Sequence, residues 1–125
     1  ELVLSGLENS VGIYREFSRE EKNLAESQLE KVGLKGFEDR SIRQISTGQL
    51  RRAFLARALM GCPLVLLLDE ACTGLDERAR YKYLDVLDTL ADEGLSYVFV
   101  SHYEEDTPQT INRQAYMRHG CLEEC

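Results

Sequence analysis

Asp69 and Glu70 stand side by side after the apolar run Leu64-Val65-Leu66-Leu67-Leu68. Neighbouring side chains leaving a strand end point in different directions, so one carboxylate can reach a hard cation while the other reaches a water. Mg²⁺ takes oxygen ligands and commonly keeps only one or two protein carboxylates beside phosphate and water, a role that suits Asp69. Glu70 would then polarise or deprotonate the attacking water. The same pair would also serve as the solvated acidic turn of a buried strand. His102 follows a second apolar run, Tyr97-Val98-Phe99-Val100. An imidazole there can hydrogen-bond a phosphate and orient a water, or fill a purely structural place.

One further segment offers charge complementarity to an anion, and another carries a helix cap. Ser46-Thr47-Gly48-Gln49 has the Ser-x-x-Gln spacing of a capping box. The helix it opens would present free backbone N–H groups and the positive end of its dipole to an anion such as phosphate. An ordinary capped helix satisfies the same pattern. Asp76, at the end of Thr73-Gly74-Leu75-Asp76, is equally well suited to capping the next helix.

These residues need elements to position them. Ser18-x-x-Glu21 is another capping box, followed by Leu24, Ala25, Leu29 and Val32 at helical spacing, which predicts an amphipathic helix over 19–32 stopped by Gly33. Gly33 to Arg43 reads as an irregular connection. A helix is expected from Ser46 to about Met60, with Leu50, Phe54, Ala58 and Leu59 on one face and Arg51, Arg52 and Arg57 elsewhere, as on a solvated surface. Gly61-Cys62-Pro63 ends it, and the run 64–68 reads as a parallel strand covered on both faces.

From Asp76 to Asp92, Ala79, Tyr83, Val86, Leu87 and Leu90 recur with helical period before Gly94, and Tyr97–Val100 is a second buried-type strand. Strand, helix, strand over this distance is the crossover unit of a parallel sheet. Both strands should therefore point the same way and bring Asp69-Glu70 and Ser101-His102 to one sheet edge, where such sheets bind ligands. Gln114 to Cys125 reads as a hairpin around Arg118-His119-Gly120.

In order, the four segments Ile45-Ser46-Thr47-Gly48-Gln49, Leu64 to Glu70, Thr73-Gly74-Leu75-Asp76 and Ser101-His102 resemble the second half of an ATP-binding cassette (ABC) ATPase. The resemblance implies an α/β chain, part of a P-loop NTPase fold, with residues 1–47 as a helical signature subdomain and 48–125 as the C-terminal part of the catalytic core. It also implies ATP and Mg²⁺ as cofactors, Asp69 at the metal, and Glu70 and His102 as catalytic residues. Ser46, Thr47, Gly48 and Gln49 would contact the γ-phosphate held by an opposing domain, and Asp76 would cross that interface. Thr47 departs from the family pattern, which has glycine there, as do Ile45, Ala71 and Cys72. Val3-Leu4-Ser5-Gly6 and Ser10-Val11-Gly12-Ile13-Tyr14 are similar to the ModF-like, molybdenum-linked tandem ABC ATPases.

A phosphate cradle of this type needs Gly-x-x-x-x-Gly-Lys-Ser/Thr, yet none of the nine glycines is followed by lysine. A piece of a longer chain is the expectation, inactive by itself and leaving a sheet edge or apolar surface uncovered, with self-association as a consequence. The resemblance implies a second ATPase domain, head to tail in cis or in trans, a membrane permease subunit, and a cytoplasmic place peripheral to the inner face of the membrane. Molybdate is the implied cargo. A soluble ABC ATPase of translation or DNA repair, and a non-catalytic interaction module, are the alternatives.

A formal charge of −7 argues against a general grip on nucleic acid, which works through lysine and arginine. No run approaches the roughly 20 apolar residues of a membrane span. Cys62, Cys72, Cys121 and Cys125 lack the Cys-x-x-Cys spacing of zinc sites and read as reduced thiols. A metal clip at Cys121, Cys125 and His119 would lack the four placed ligands that zinc prefers.

Overall fold

The computed structural model describes residues 1–7 and 16–124. It contains three α-helices and two strand pairs: α1 (Arg19–Lys31), α2 (Thr47–Leu59), β1 (Val65–Asp69), α3 (Glu77–Asp92), β2 (Ser96–Val100), β3 (Ala115–Arg118) and β4 (Cys121–Glu124). The chain is thus α/β, as expected, and short 3-10 turns at Leu4–Leu7, Ile42–Gln44 and Glu104–Asp106 join the larger elements. Ser10 to Tyr14, part of the similarity to the molybdenum-linked group, and Cys125 lie outside the described residues.

Capping chemistry sets the helix bounds. At α1, Glu21 N donates to Ser18 Oγ (3.1 Å) while Ser18 N donates to Glu21 Oε2 (2.8 Å), so two backbone donors that the helix leaves over are satisfied reciprocally. At its other end Gly33 takes φ +70°. Gly33 N then donates to Glu30 O and Leu34 N to Leu29 O, the left-handed closure that glycine adopts without a Cβ penalty. Gly94 closes α3 in the same way, with φ +100° and Leu95 N donating to Leu90 O.

The buried stripe of α2 differs from the one its apolar residues suggest. Gly48, Arg52, Ala53, Leu55, Ala56 and Leu59 are buried, whereas Phe54 is 46% exposed and Ala58 faces solvent. The helix is packed on more than one side, against α1, α3 and the turn Leu4–Leu7. Apolar residues are spread around its circumference, so periodicity did not select the inner face. Arg52 is the clearest departure from the expected solvated arginines. Its Nη1 donates to Val32 O (3.0 Å) and Gly33 O (3.1 Å), carbonyls at the end of α1. A cation there satisfies orphan carbonyls and opposes the negative end of the α1 dipole, and burial lowers the guanidinium's pKa.

Arg57, on the same helix, donates from Nε to Ser5 Oγ (2.8 Å), tying the first turn of the chain to α2. Because α2 contacts α1 on one side and α3 on the other, the expected division at 47/48 falls at the start of the helix that joins both. The shared core runs through Leu29, Val32, Ala56, Met60, Leu66 and Leu87.

β1 and β2 pair in parallel, with Val65 opposite Ser96, Leu67 opposite Val98 and Asp69 opposite Val100. Leu66, Leu68, Tyr97 and Phe99 face the helices. On the other face Leu67 is 79% exposed, and Val65, Val98 and Val100 are about half exposed. The strands are therefore covered on one face, not two, because no described element lies across the second. β3 and β4 form the expected hairpin, whose turn residues His119 (φ 49°) and Gly120 (φ 80°) both adopt the positive φ that two-residue hairpins favour. Among the described residues, no helix is long and apolar enough to cross a membrane.

Arg52→Met should keep the aliphatic stem but leave buried carbonyls unpaired. Urea unfolding is expected to show a loss of about 1–3 kcal/mol; an unchanged midpoint would mean that this cap contributes nothing to stability.

Candidate functional site

The carboxyl ends of β1 and β2 meet as the crossover pattern requires. Glu70 N donates to Val100 O (2.9 Å), extending the ladder one residue beyond Asp69. Glu70 then takes φ 47°, a left-handed backbone that is uncommon outside glycine and is held here by the ladder before it and the turn after it. Thr73 N donates to Glu70 O (3.0 Å) and Leu75 N to Cys72 O (3.1 Å), so two tight turns carry the chain from the strand to α3.

That left-handed residue turns Glu70 toward the other strand end. His102 Nε2 lies 2.9 Å from Glu70 Oε1, with both side chains substantially exposed. Thr73 Oγ1 donates to Glu70 Oε2 (3.3 Å), so both carboxylate oxygens are held. Asp69 belongs to the open face with Leu67, and its exposed carboxylate takes no hydrogen bond or ion pair from a described residue. Such a free, hard oxygen donor fits one ligand position of Mg²⁺. No group of three or more His, Cys, Asp or Glu among the described residues could hold a metal, so Asp69 would share an ion with ligands from elsewhere.

Ser46 and Asp76 are both helix caps. Gln49 N donates to Ser46 Oγ (3.2 Å), and Ser46 N donates to Gln49 Oε1 (2.8 Å). Ala79 N donates to Asp76 Oδ1 (2.8 Å). The two helix starts lie against each other: a Cβ on Gly48 would come within 2.7 Å of Ala79 Cβ, closer than side chains pack. Gly48 is therefore buried at a helix contact, while Thr47 remains exposed at the first helical position.

The residues singled out by sequence thus fall into two groups, one at each end of the 70–76 turn. Glu70 and His102 touch, and Ser46, Gly48 and Gln49 adjoin the start of α3 capped by Asp76. Sequence reasoning passed over what holds the His102 loop. Asp106 is buried; Ser101 Oγ donates to its Oδ2 (3.2 Å), and Arg80 Nε lies 3.7 Å from its Oδ1. A buried acid within Glu104-Glu105-Asp106 looks like any solvated acidic run, and only the fold distinguishes it.

Three comparisons bear on this arrangement. The ABC transporter family model matches residues 4–73. An uncharacterized ABC transporter ATP-binding protein, YlmA of Bacillus subtilis (strain 168), is 36% identical over 122 residues, covering 96% of this chain and 46% of its own length. The ABC transporter ATP-binding protein ModF of Escherichia coli (strain K12) is 36% identical over 115 residues, covering 90% of this chain and 24% of ModF. The ADP conformation of MJ1267, an ATP-binding cassette of an ABC transporter, superposes with a TM-score of 0.82 at 21% identity, over 97% of this chain and 51% of that one. The chain spans about half or less of the length of these proteins.

Cys72, in the turn between Glu70 and Asp76, is buried. Burial first, and then the nearby Asp106 carboxylate, push its thiol from the ordinary value up to about 11. Because the folded value lies above the unfolded one, the stability it contributes is complete below about pH 9 and is lost as pH rises toward 11. Iodoacetamide at pH 8 followed by peptide mass spectrometry should modify the exposed Cys62 and Cys121 and spare Cys72. Equal labelling of Cys72 and Cys62 would contradict this burial.

Proposed function

The chain belongs to the ABC transporter family, and from that premise we propose that it forms the water-activating half of an ATP-hydrolysing domain. The observation that carries the reading is the 2.9 Å contact between His102 Nε2 and Glu70 Oε1, made by residues far apart in sequence at the ligand-binding edge of a parallel sheet. Glu70 is the general base for the attacking water and His102 the donor to the γ-phosphate. The two acceptors compete for one imidazole N–H. A phosphate entering the edge draws His102 away and frees Glu70 Oε1 for the water.

Asp69 would hold Mg²⁺, which when bound neutralises charge on the phosphates. The phosphate loop itself must come from outside these 125 residues, since no segment here has the required glycines and lysine. Ser46, Thr47, Gly48 and Gln49 stand at the positive end of α2 and serve a nucleotide bound to a second ATPase domain, head to tail in cis or trans, with Asp76 at the same junction. Residues 1–47 then form the helical signature part and 48–125 the catalytic part. Arg52 joins them, because it carries the α2 side of their contact into the end of α1.

The coupled task in this reading is transport through a membrane permease subunit, with the ATPase peripheral to the inner face of the cell membrane. Molybdate as cargo is supported by likeness to ModF.

In the ATPase that carries this chain together with a phosphate loop, Glu70→Gln should lower turnover by about 10²–10⁴-fold. Turnover equal to the parent's would sink the assignment of Glu70. The 125-residue chain alone should show no micromolar ATP binding by calorimetry in the presence of Mg²⁺.

The open β1–β2 face, with Leu67 79% exposed and Val65, Val98 and Val100 about half exposed, should drive self-association of the isolated chain. Sedimentation velocity is expected to show concentration-dependent oligomers that Leu67→Lys reduces, and a strictly monomeric parent chain would rule this out.

A further inference from the structure

The geometry points to Arg80 and Asp106 as a positioning pair that sets the His102 imidazole against Glu70. The inference rests on the reading of His102 and Glu70 given above, and it concerns residues that hold the loop carrying the imidazole. Asp106 is 5% exposed, and a carboxylate that deep needs partners. Ser101 Oγ, from the residue immediately before His102, donates to one oxygen, and Arg80 Nε from α3 faces the other at 3.7 Å, an ion pair without a hydrogen bond. Arg80 Nη1 adds Glu105 Oε1 at 3.3 Å.

Ser101 converts this pair into control over His102. Its Oγ accepts from Tyr103 N (3.0 Å), so one hydroxyl bridges the residues on both sides of the histidine. The single hydroxyl proton has two acceptors, each 3.2 Å away: the Tyr103 carbonyl and Asp106 Oδ2. A carboxylate makes a stronger acceptor than a backbone carbonyl, so Asp106 Oδ2 is the preferred partner of the hydroxyl. Hydrogen bonds from Tyr103 N–H to Ser101 Oγ and from Ser101 Oγ–H to Asp106, with the Asp106–Arg80 ion pair beyond them, then connect the backbone beside His102 to α3. Asp76, six residues after Glu70, caps α3, so the base and the imidazole loop are referred to one helix.

A second anchor lies further along the same loop. Asp88 Oδ1 accepts from Thr110 N (2.9 Å) and Thr110 Oγ1 (2.7 Å), and Asp88 Oδ2 accepts from Gln109 N (3.2 Å). The segment after β2 is thereby fixed to α3 at both ends. A neutral side chain at 106 could fill the same volume, but it could not compete as well for the Ser101 proton or pair with Arg80.

The chain has two histidines, and His119 in the β3–β4 turn is an internal reference. Imidazole ¹⁵N spectra of the 125-residue chain would be compared with those of Asp106→Asn, Arg80→Met and Glu70→Gln. Asp106→Asn and Arg80→Met are each expected to move the His102 Nε2 resonance toward its position in Glu70→Gln, with His119 unmoved. A His102 resonance unchanged in folded Asp106→Asn would overturn the proposal. If circular dichroism shows Asp106→Asn unfolded, Arg80→Met, which keeps the aliphatic stem, decides in the same way.

Turnover of Glu70→Gln in the full ATPase separates the two inferences. Loss of turnover with an unmoved His102 resonance in Asp106→Asn refutes the positioning pair alone. Parental turnover with a moved resonance refutes the hydrolytic reading and supports the pair.

Discussion

Parallel pairing of β1 with β2 is the constraint on which the rest of this structure depends. The two strands run side by side from Val65 opposite Ser96 to Asp69 opposite Val100, and Glu70 N extends the ladder to the Val100 carbonyl. A shift of one residue in that register would turn Leu66 and Leu68 out of the core and misplace Glu70 relative to His102. The inward side chains Leu66, Leu68, Tyr97 and Phe99 resist such a shift by packing on the helices. Burial of one face thus sets the alignment of two chemical groups at the other end of the strands.

The helices turn that alignment into a defined edge. Asp76 caps α3, Ser46 and Gln49 cap α2, and the contact of Gly48 with Ala79 holds the two helix starts together. Capping and the proposed ligand contacts draw on the same residue types for the same reason: a helix start has unsatisfied N–H groups and a positive dipole end. The structural and functional readings of Ser46 and Asp76 therefore do not compete. The capped state fixes where those donors point.

The open sheet face is the counterpart of this economy. Leu67, Val98 and Val100 are residues suited to a strand buried on both sides, yet no described element covers them. Their exposure and the lack of a phosphate loop point the same way.

Local chemistry was legible in the amino-acid sequence. Capping boxes at Ser18 and Ser46, stops at Gly33 and Gly94, two apolar strand runs and the order of the motifs each depend on neighbouring residues, so α1, α2, α3 and the crossover can be placed from the sequence. What depended on non-neighbours could not. The inner face of α2 was decided by packing on α1 and α3 together, the burial of Arg52 by the carbonyls of another helix, and the role of Asp106 by Arg80 on α3 and Ser101 after β2. Sequence determined which backbone segments are helix or strand because propensity and capping act over a few residues. Only the tertiary structure decided which charges are buried and which side chains meet, because desolvation and pairing are properties of the surroundings that folding assembles.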